Sequence, residues 1–333
     1  MNLPLPIRIL LWPLSMIYGI GTRFRVWLYE KRVFKKGRLK TPVISVGNLT
    51  VGGTGKTPMV LYLAEKFLAE GMRVGVLSRG YRGVAGTSDE VQMLKERLGG
   101  RAVFGVGADR FAEGSKIERE NPVDLFLLDD GFQHLQLARD VDIVLWDGTK
   151  KIRRQWVLPS GSLREPISAV GRADLLVVTR KVLGAEGDAS ETGTDAAFSA
   201  QTKLIGFRKL GKSAESAVME SSLEGTVFAF CGIGNPQAFF NDLRRWQIEP
   251  VETTSFRDHH RYTKGDVAQL TNSAHWTGAA CFVTTEKDEQ NLRGVDFGEW
   301  PVYAAVVELE VNPGEKFRAE IHRLLKERKD AIA

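Results

Sequence analysis

The stretch GNLTVGGTGKTP, residues 47–58, contains residue types that bind phosphate groups in nucleotide-binding proteins. It fits most of the P-loop pattern, G-x-x-x-x-G-K-[ST], although Thr50 stands where that pattern has its first glycine. Several backbone N–H groups of such a loop point at phosphate oxygens, Lys56 adds a positive charge, and Thr57 is placed to ligate Mg²⁺. An ordinary glycine-rich turn is the alternative. The predicted phosphate site consists of Thr50, Val51, Gly52, Gly53, Thr54, Gly55, Lys56 and Thr57.

Acidic residues in two other stretches could hold a metal ion beside such a site. In DLFLLDDG, Asp129 and Asp130 follow an apolar run, and P-loop enzymes need an acidic residue on a neighbouring strand to bind Mg²⁺. A polar cap on the strand end is the structural alternative. Glu165, in SLREP, is a further candidate, which could instead be a charge at the start of a helix. The predicted metal ligands are Thr57, Asp129, Asp130 and Glu165, with His134 within reach of the same edge.

Apolar runs and helical patterns alternate around these residues and would position them. This alternation, from residue 41 onward, is typical of a parallel sheet with helices on both faces. The sequence therefore predicts an α/β fold, a doubly wound parallel sheet of the P-loop NTPase type, whose ligands bind at the carboxyl ends of the strands. Strands are predicted at 43–46, 73–78, 124–129, 141–147 and 173–179, and helices at 58–70 and 109–120.

A second, smaller α/β lobe is predicted after residue 201. The segment 184–201 is small, acidic and polar, which is typical of an exposed connection. The GIGNP sequence within 226–236 favours a tight turn from a strand into a helix over a second nucleotide site. Further apolar runs lie at 281–284 and 302–309, and a closing helix at 314–328. The predicted domains are a basic amphipathic helix at 1–40, a P-loop domain at 41–201 and the smaller lobe at 202–333.

The first 40 residues combine apolar and aromatic side chains with nine Lys or Arg residues and a single acid, Glu30. The uncharged run between Arg8 and Arg23 contains Pro13 and falls short of the ~20 apolar residues that span a bilayer. No cleavage site of a secretory signal follows it. We expect a helix that lies in an anionic membrane surface, the alternative being a helix that packs on the domain behind it. The residues that recur at helical spacing along its apolar face are Leu10, Leu14, Ile17, Gly21, Phe24 and Leu28.

The distribution of charge argues against a nucleic-acid-binding protein, and the two cysteines indicate the redox compartment. The 333-residue chain has a formal net charge of +5, but its basic excess lies at the N-terminal end. A nucleic-acid-binding protein would carry that excess on its folded body. Cys231 and Cys281 lack metal-ligand spacing and no leader sequence is evident, so we expect buried, inert thiols in a reducing compartment.

Six stretches together resemble one enzyme family. They occur in the same order as in the tetraacyldisaccharide 4'-kinases of lipid A biosynthesis, and they cover most of the chain. Thr50 belongs to that family's pattern, which carries Ser or Thr at this position. The stretches are GNLTVGGTGKTP, LSRGYRG (77–83), DDGFQHLQLARD (129–140), LPSGSLREP (158–166), DHHRYT (258–263) and TTEKD (284–288).

The resemblance implies a kinase at the cytoplasmic face of the inner membrane of Gram-negative bacteria. It would use ATP and Mg²⁺ to phosphorylate the 4'-hydroxyl of a tetraacyl glucosamine disaccharide 1-phosphate, giving lipid IVA. It would bind this lipid at the membrane surface, with no nucleic-acid partner and no protein partner evident. Lys56 and Asp130 would act in catalysis, and Arg79 and His134 would bind the substrate.

The resemblance also implies a base for the acceptor hydroxyl. The family's G-D-E-P stretch corresponds here to Thr87-Ser88-Asp89-Glu90-Val91, in which the acidic pair is kept and the flanking Gly and Pro are not. Asp89 would take the hydroxyl proton, and His259 would orient Asp89 and share the proton. Alternatively, His259 and the neighbouring His260 are simply two histidines in a polar loop, without a catalytic role. Because His259 belongs to the predicted second lobe, closure of the lobes would assemble the site.

Three other functions are weighed against this kinase. A P-loop GTPase or metallochaperone would usually carry [NT]-K-x-D, and neither VTRKV (178–182) nor TTEKD has that order. A membrane-surface nucleotide switch would hydrolyse nucleotide slowly without a lipid acceptor. A soluble kinase of small metabolites would leave the basic N-terminus unexplained. Phosphate transfer from ATP to an acylated disaccharide separates all three from the kinase.

Overall fold

The computed structural model describes residues 4–80, 88–149, 155–180, 198–210 and 219–331. The chain forms two compact units, each built from separate segments. Unit 1 comprises Met1–Tyr81, Lys95–Gln201 and Leu309–Ala333, and unit 2 comprises Arg82–Leu94 and Thr202–Glu308. The functional domain limits given above stay a prediction.

Unit 1 contains a parallel sheet and most of the helices that accompany it. Its strands are hydrogen-bonded in the order β7-β6-β5-β1-β4-β2-β3, and each neighbouring pair is parallel. The elements that have residues in unit 1 are α1 (Leu5–Glu30), β1 (Val43–Asn48), α2 (Lys56–Ala69), β2 (Val74–Ser78), α3 (Asp89–Leu98), β3 (Ala102–Val106), α4 (Arg110–Glu120), β4 (Leu125–Asp129), β5 (Val141–Asp147), β6 (Leu175–Thr179), β7 (Phe198–Lys209), β12 (Val302–Asn312) and α8 (Gly314–Asp330).

The predicted doubly wound fold is confirmed by this strand order. Strand β1 lies between β4 and β5, so the sheet grows to one side through β4, β2 and β3 and to the other through β5 and β6. Each of β1, β4 and β5 is buried along its whole length, because helices cover both faces of such a sheet. In folds of this type, ligands usually bind in a crevice outside the carboxyl ends of the strands, at the point from which the sheet extends in both directions.

The sequence analysis did not predict some elements of unit 1. The strand β3 was missed although its sequence, AVFGV, is apolar throughout; it lies at the end of the strand order, and of its five residues only Ala102 and Gly105 are buried. The helix α3 was also missed. The expected connection at 184–201 is wrong at its end, because residues 198–201 belong to β7 and bury Phe198 and Ala200. The part of that connection before residue 198 lies outside the described residues.

Unit 2 is a smaller sheet with helices, which confirms the predicted second α/β lobe. Its strands follow the order β10-β9-β11-β12-β7, with β8 antiparallel to β7. Its remaining elements are β8 (Met219–Glu220), β9 (Val227–Cys231), α5 (Pro236–Arg245), β10 (Glu252–Ser255), α6 (Lys264–Thr277), β11 (Cys281–Thr285) and α7 (Glu286–Asn291).

The core of unit 2 includes three phenylalanines from β9 and β11. Phe228, Phe230 and Phe282 are completely buried, and the ring of Phe282 contacts the other two. The two cysteines are free and buried in the same unit, and burial raises the pKa of Cys281 to about 11. Both thiols are therefore protonated packing residues at neutral pH, as the sequence predicts. The GIGNP stretch forms the turn between β9 and α5.

Candidate active site

The P-loop connects β1 to α2. Gly52 and Gly55 have φ angles of 109° and 87°, in the left-handed region that side chains disfavour. Gly55 immediately precedes Lys56, the first residue of α2, so the backbone N–H groups of the first helical turn are available to an anion. Asn48 donates from Nδ2 to Oγ1 of the buried Thr54 at 2.7 Å. These contacts fix the loop in a form suited to phosphate binding.

The segment 156–164, which the sequence analysis did not connect with the P-loop, pairs with it. The backbone N–H of Val51 donates to the carbonyl of Ser162 at 2.8 Å, and that of Arg164 donates to the carbonyl of Leu49 at 2.7 Å. These hydrogen bonds bring part of the LPSGSLREP stretch to the first half of the loop. The proximity depends on backbone pairing across more than a hundred positions, which no local pattern reveals.

Arg180 supports the middle of the P-loop and was also missed. Its Nη1 donates to the carbonyl of Gly53 at 3.1 Å and lies 3.2 Å from Oδ2 of Asp147. Asp147 is the last residue of β5, and Arg180 follows the end of β6. The only sequence signal was the position of each residue at the end of a predicted strand.

Asp129 is the last residue of β4 and is in register with Val46 of β1. Ser78, at the end of β2, donates from Oγ to Oδ2 of Asp129 at 3.5 Å. Asp129 is buried, so its carboxylate lies inside the strand edge from which the P-loop also departs. This is the location that the sequence predicts for an acid that binds Mg²⁺ beside a P-loop.

Asp130 follows directly and is contacted by two cations. Its carboxylate lies 3.5 Å from Nζ of Lys56 and 2.8 Å from Nη1 of Arg164. Burial raises the pKa of Asp130, but the positive charges of Lys56 and Arg164 outweigh burial and hold that pKa below its ordinary value. The structure thus brings Lys56 and Asp130 together, and it adds Arg164, which the sequence analysis passed over in favour of Glu165.

The oxygen donors beside the P-loop fit a magnesium ion that is bound together with phosphate. Mg²⁺ is usually held by one or two carboxylates and by substrate phosphates, and Thr57, Asp129 and Asp130 supply this chemistry. Within the described parts of the chain, no group of three or more His, Cys, Asp or Glu could hold a metal ion alone. Glu165 is buried and its carboxylate pairs with Arg172 at 2.7 Å. The predicted metal role of each of these residues stays a prediction.

His134 lies among positive charges in unit 1. Its Nδ1 is 3.3 Å from Nη1 of Arg110, and its buried Nε2 has no hydrogen-bond partner among the described residues. Burial lowers the pKa of His134 to about 4, with further lowering by Arg110, Arg139 and Arg25. The imidazole is therefore neutral at pH 7, so a nitrogen of the ring can hydrogen-bond without carrying charge.

Arg79 belongs to the same neighbourhood. Burial lowers the pKa of Arg110, the charge of the exposed Arg79 lowers it further, and Asp130 and Asp129 oppose both effects. Arg79, Arg110 and the neutral His134 thus form a cluster, called the basic cluster below, in which Arg110 interacts electrostatically with the acidic pair. The sequence did not indicate Arg110 as a site residue, because a basic residue in the first turn of a helix is usually a solvated charge.

In unit 2, Asp89 and His259 form a hydrogen-bonded pair. Nδ1 of His259 lies 2.9 Å from Oδ2 of Asp89, although the residues are 170 positions apart. His259 has a φ angle of 59°, which costs a residue with a Cβ about 1–3 kcal/mol, and its backbone N–H donates to Gly232. Burial raises the pKa of Asp89, but hydrogen bonds from His259 and Asn291 outweigh it and hold that pKa below its ordinary value.

In the N-terminal helix α1, the residues Ser15, Gly19 and Tyr29 are buried. Oγ of Ser15 donates to the carbonyl of Val157 at 3.0 Å, and it accepts from the backbone N–H of Ser160 at 3.0 Å. The apolar face predicted from the sequence is instead exposed, with Leu10 at 78% and Ile17 at 68% exposure. The docking face and the apolar face of the helix are therefore different surfaces.

By length and composition, α1 could also cross a membrane, and no other described helix meets that criterion. The sequence analysis excluded a span from the short uncharged run alone. The whole helix has 26 residues, with Pro13 inside it, because charged residues near both ends continue it beyond that run. Length therefore does not separate a helix at the membrane surface from a spanning helix.

The sheet, the loop after β1 and the acids at the end of β4 define an α/β enzyme of the P-loop nucleotide-binding class. The model of the LpxK family, described as tetraacyldisaccharide-1-P 4'-kinase, matches residues 7–326. The chain belongs to this family. A tetraacyldisaccharide 4'-kinase of Pelobacter propionicus is 40% identical over 86% of this chain and 83% of its own. A relative of the same name in Geobacter metallireducens is 39% identical over 95% of this chain and 98% of its own.

A solved structure agrees with this family. The crystal structure of LpxK from Aquifex aeolicus in complex with ATP has a TM-score of 0.73 and 31% sequence identity, and the match covers 96% of this chain and 99% of that one. These findings confirm the predicted family, the fold class, the kinase function and ATP with Mg²⁺ as cofactors. They do not favour the alternative of a nucleotide switch without a lipid acceptor.

Proposed function

We propose that this chain transfers the γ-phosphoryl group of ATP to the 4'-hydroxyl of a tetraacyldisaccharide 1-phosphate and so forms lipid IVA. The observation that carries this proposal is the family match over residues 7–326 together with an intact Gly-Lys-Thr sequence at the start of α2. A bond forms between the 4'-oxygen and the γ-phosphorus. The bond from that phosphorus to the oxygen bridging to the β-phosphate breaks, and ADP leaves with the electron pair.

In unit 1, the P-loop residues would bind the phosphates of ATP. Lys56 would neutralise charge that develops on the phosphoryl oxygens, which is the main task of a protein in phosphoryl transfer. Thr57, Asp129 and Asp130 would hold Mg²⁺, which supplies further positive charge at the β- and γ-phosphates when it is bound. Arg164 would keep Asp130 ionised and oriented, since it contacts both carboxylate oxygens at 2.9 and 2.8 Å.

In unit 2, Asp89 would accept the proton of the 4'-hydroxyl as the new phosphate ester forms. A carboxylate is a weak base at neutral pH, so its value lies in orienting the hydroxyl and in receiving the proton late in the reaction. The hydrogen bond from His259 would orient Asp89 for this role. The 2.9 Å contact between the two side chains supports the assignment.

The basic cluster of unit 1 would contribute to binding of the lipid substrate. Arg79 and Arg110 offer guanidinium groups, which hydrogen-bond phosphate oxygens well, and the neutral His134 offers a ring nitrogen. The acceptor carries a phosphate at its 1-position. We therefore assign recognition of an anionic part of the acceptor to this cluster.

The helix α1 would hold the enzyme at the cytoplasmic face of the inner membrane. Its exposed apolar face and the basic residues that follow it suit a membrane surface with anionic lipids. The acyl chains of the substrate stay in the bilayer, so an enzyme at that surface can reach the sugar headgroup. A helix that only packed on its own domain would turn its apolar face inward, whereas α1 buries Ser15, Gly19 and Tyr29 and leaves Leu10 and Ile17 exposed.

The proposed function is tested with purified protein, labelled ATP and a detergent-dispersed tetraacyldisaccharide 1-phosphate. We expect a lipid product heavier by one phosphate, formed with one ADP per product and only in the presence of Mg²⁺. The matched control is the same lipid with the 4'-hydroxyl removed, which should give no product. Steady hydrolysis of nucleotide with no phosphorylated lipid would contradict the proposal.

A further inference from the structure

Two residues of the short helix α7 contact the Asp89–His259 pair, and the family resemblance gave neither a role. Lys287 and Asn291 lie four positions apart in α7, so both side chains project from the same face of that helix. Nζ of Lys287 lies 3.4 Å from Nε2 of His259, and Nδ2 of Asn291 donates to Oδ2 of Asp89 at 3.0 Å. The four residues belong to unit 2 and come from α3, α7 and the loop after β10.

Lys287 is held in place by two carboxylates. Its Nζ lies 3.0 Å from Oε1 of Glu90 and 3.0 Å from Oδ1 of Asp258, and its side chain is only 22% exposed. Burial lowers the pKa of Lys287, but Glu90 and Asp258 outweigh burial and hold that pKa above its ordinary value. At neutral pH the group is an ammonium, which donates hydrogen bonds and accepts none.

An ammonium next to Nε2 determines which nitrogen of the His259 ring donates. Nε2 can only accept from Lys287, so the ring donates from Nδ1 to Asp89. Oxygens of Glu90 and Asp258 lie farther from Nε2, at 3.8 and 3.9 Å, and both of these carboxylates pair with Lys287.

The hydrogen bonds to Asp89 fall on a single oxygen. His259 and Asn291 both donate to Oδ2, and among the described residues no hydrogen bond reaches Oδ1. Two donors on one oxygen restrict rotation of the carboxylate. They leave Oδ1 as the oxygen that can accept from an acceptor hydroxyl.

We propose that Lys287 and Asn291 are positioning residues for the phosphoryl transfer, in which Lys287 donates to Nε2 of His259 and so keeps Nδ1 as the donor to Asp89, and Asn291 fixes the carboxylate so that its second oxygen receives the hydroxyl proton. The proposal rests on the proposed function for the role of Asp89. It deepens that function in one respect, because His259 then orients Asp89 and does not itself take up the proton.

The first experiment measures kinetics in Lys287→Met, Lys287→Arg and Asn291→Ala. We expect Lys287→Met and Asn291→Ala to lower kcat about 10- to 100-fold, the range usual for groups that orient a reacting residue, with KM for ATP unchanged. Lys287→Arg keeps a cationic donor beside Nε2 and should restore most of the wild-type kcat.

Controls separate positioning from folding. Lys264 is an exposed lysine of the same unit, at the start of α6, and Lys264→Met should match wild type in kcat, KM for ATP and thermal unfolding. A wild-type kcat in folded Lys287→Met would overturn the proposed role of Lys287. A wild-type kcat in Asn291→Ala would overturn that of Asn291.

The second experiment needs no substitution at Lys287 and no activity. Nitrogen-15 NMR of the histidine rings in the wild-type protein reports which ring nitrogen carries the proton, with the His259 signals identified by their loss in His259→Gln. We expect a protonated Nδ1 and an unprotonated Nε2 at pH 7. A proton on Nε2 overturns the positioning model even if the enzyme phosphorylates lipid. Failure of lipid phosphorylation with the expected ring state contradicts the proposed function instead.

Discussion

The P-loop of unit 1 and the Asp89–His259 group of unit 2 are both candidate parts of the catalytic machinery, but they are built differently. The P-loop is one contiguous stretch whose glycines, lysine and threonine have fixed spacing. The second group joins side chains that lie 170 and 202 positions apart in the chain. The first offers mainly backbone N–H groups and one cation, and the second offers a carboxylate with an oriented hydrogen-bond donor.

This difference indicates a division of tasks. A cradle of backbone groups suits phosphates, which are alike in every ATP molecule. A carboxylate held by side chains suits the acceptor hydroxyl, whose proton must be removed in one geometry. Substitutions in the two regions should therefore produce different kinetic changes, which can be measured.

The largest effect is expected for Lys56→Ala. Loss of the P-loop cation should lower kcat about 1,000-fold or more, because charge on the transferring phosphoryl group is no longer neutralised. The protein should stay folded, since the contacts of Lys56 to Asp130 and Asn48 are long, at 3.5 and 3.4 Å. Lys66→Ala, an exposed site on the same helix, is the matched control in kinetics and thermal unfolding. Turnover at the wild-type rate in Lys56→Ala would remove the P-loop assignment.

Asp89→Ala and His259→Ala should each lower kcat about 100- to 1,000-fold with little change in KM for ATP. The double variant should be little worse than the worse single one, because the two residues act as a unit. Rate measurements on the four proteins of this cycle decide the point. Losses that multiply, or a large rise in KM for ATP, would show that the two regions do not divide the work as described.

Asp129→Asn and Asp130→Asn should lower activity about 100-fold and shift the Mg²⁺ concentration needed for half-maximal rate upward, since each loses a charged ligand. Titration of activity with MgCl₂ measures this shift. The same titration of Asp89→Ala should give the wild-type midpoint, because Asp89 acts on the acceptor. An unchanged midpoint in both asparagine variants would argue against a metal site at the end of β4.

Removal of residues 1–30 should release the protein from membranes and raise KM for the long-chain lipid about 10-fold. Turnover of a short, soluble analogue should suffer less, because the reacting groups lie in other segments. Sedimentation with vesicles of anionic phospholipid and kinetics with both substrates provide the measurement. A truncated protein that still sediments at high salt would show that α1 is a packing helix.

The smallest effect concerns acid stability. The pKa of His134 is lowered from 6.5 to about 4, so the unfolded chain binds a proton more readily than the folded protein. The free energy of unfolding should therefore fall as the pH is lowered from 6.5 towards 4. Urea unfolding at pH 7 and pH 5 should show a smaller acid loss in His134→Gln than in wild type. The exposed His275→Gln should retain the wild-type loss.

Local sequence patterns were sufficient for the features that depend on neighbouring residues. The spacing in GNLTVGGTGKTP places glycine where φ is positive at Gly52 and Gly55, and buried strands such as β4 and β5 read as continuous apolar runs. The amphipathic pattern of α1 likewise indicated its apolar face. These features follow from backbone geometry and burial, which act within one element.

Only the tertiary structure decided which distant side chains meet. It placed Arg164 rather than Glu165 on Asp130, Arg180 under the P-loop, and Lys287 and Asn291 on the Asp89–His259 pair. Each contact joins different strands or helices, and its partner is selected by sheet register and packing. A charged residue at a helix start or strand end has the same sequence surroundings whether it is solvated or paired, so the sequence alone cannot distinguish the two.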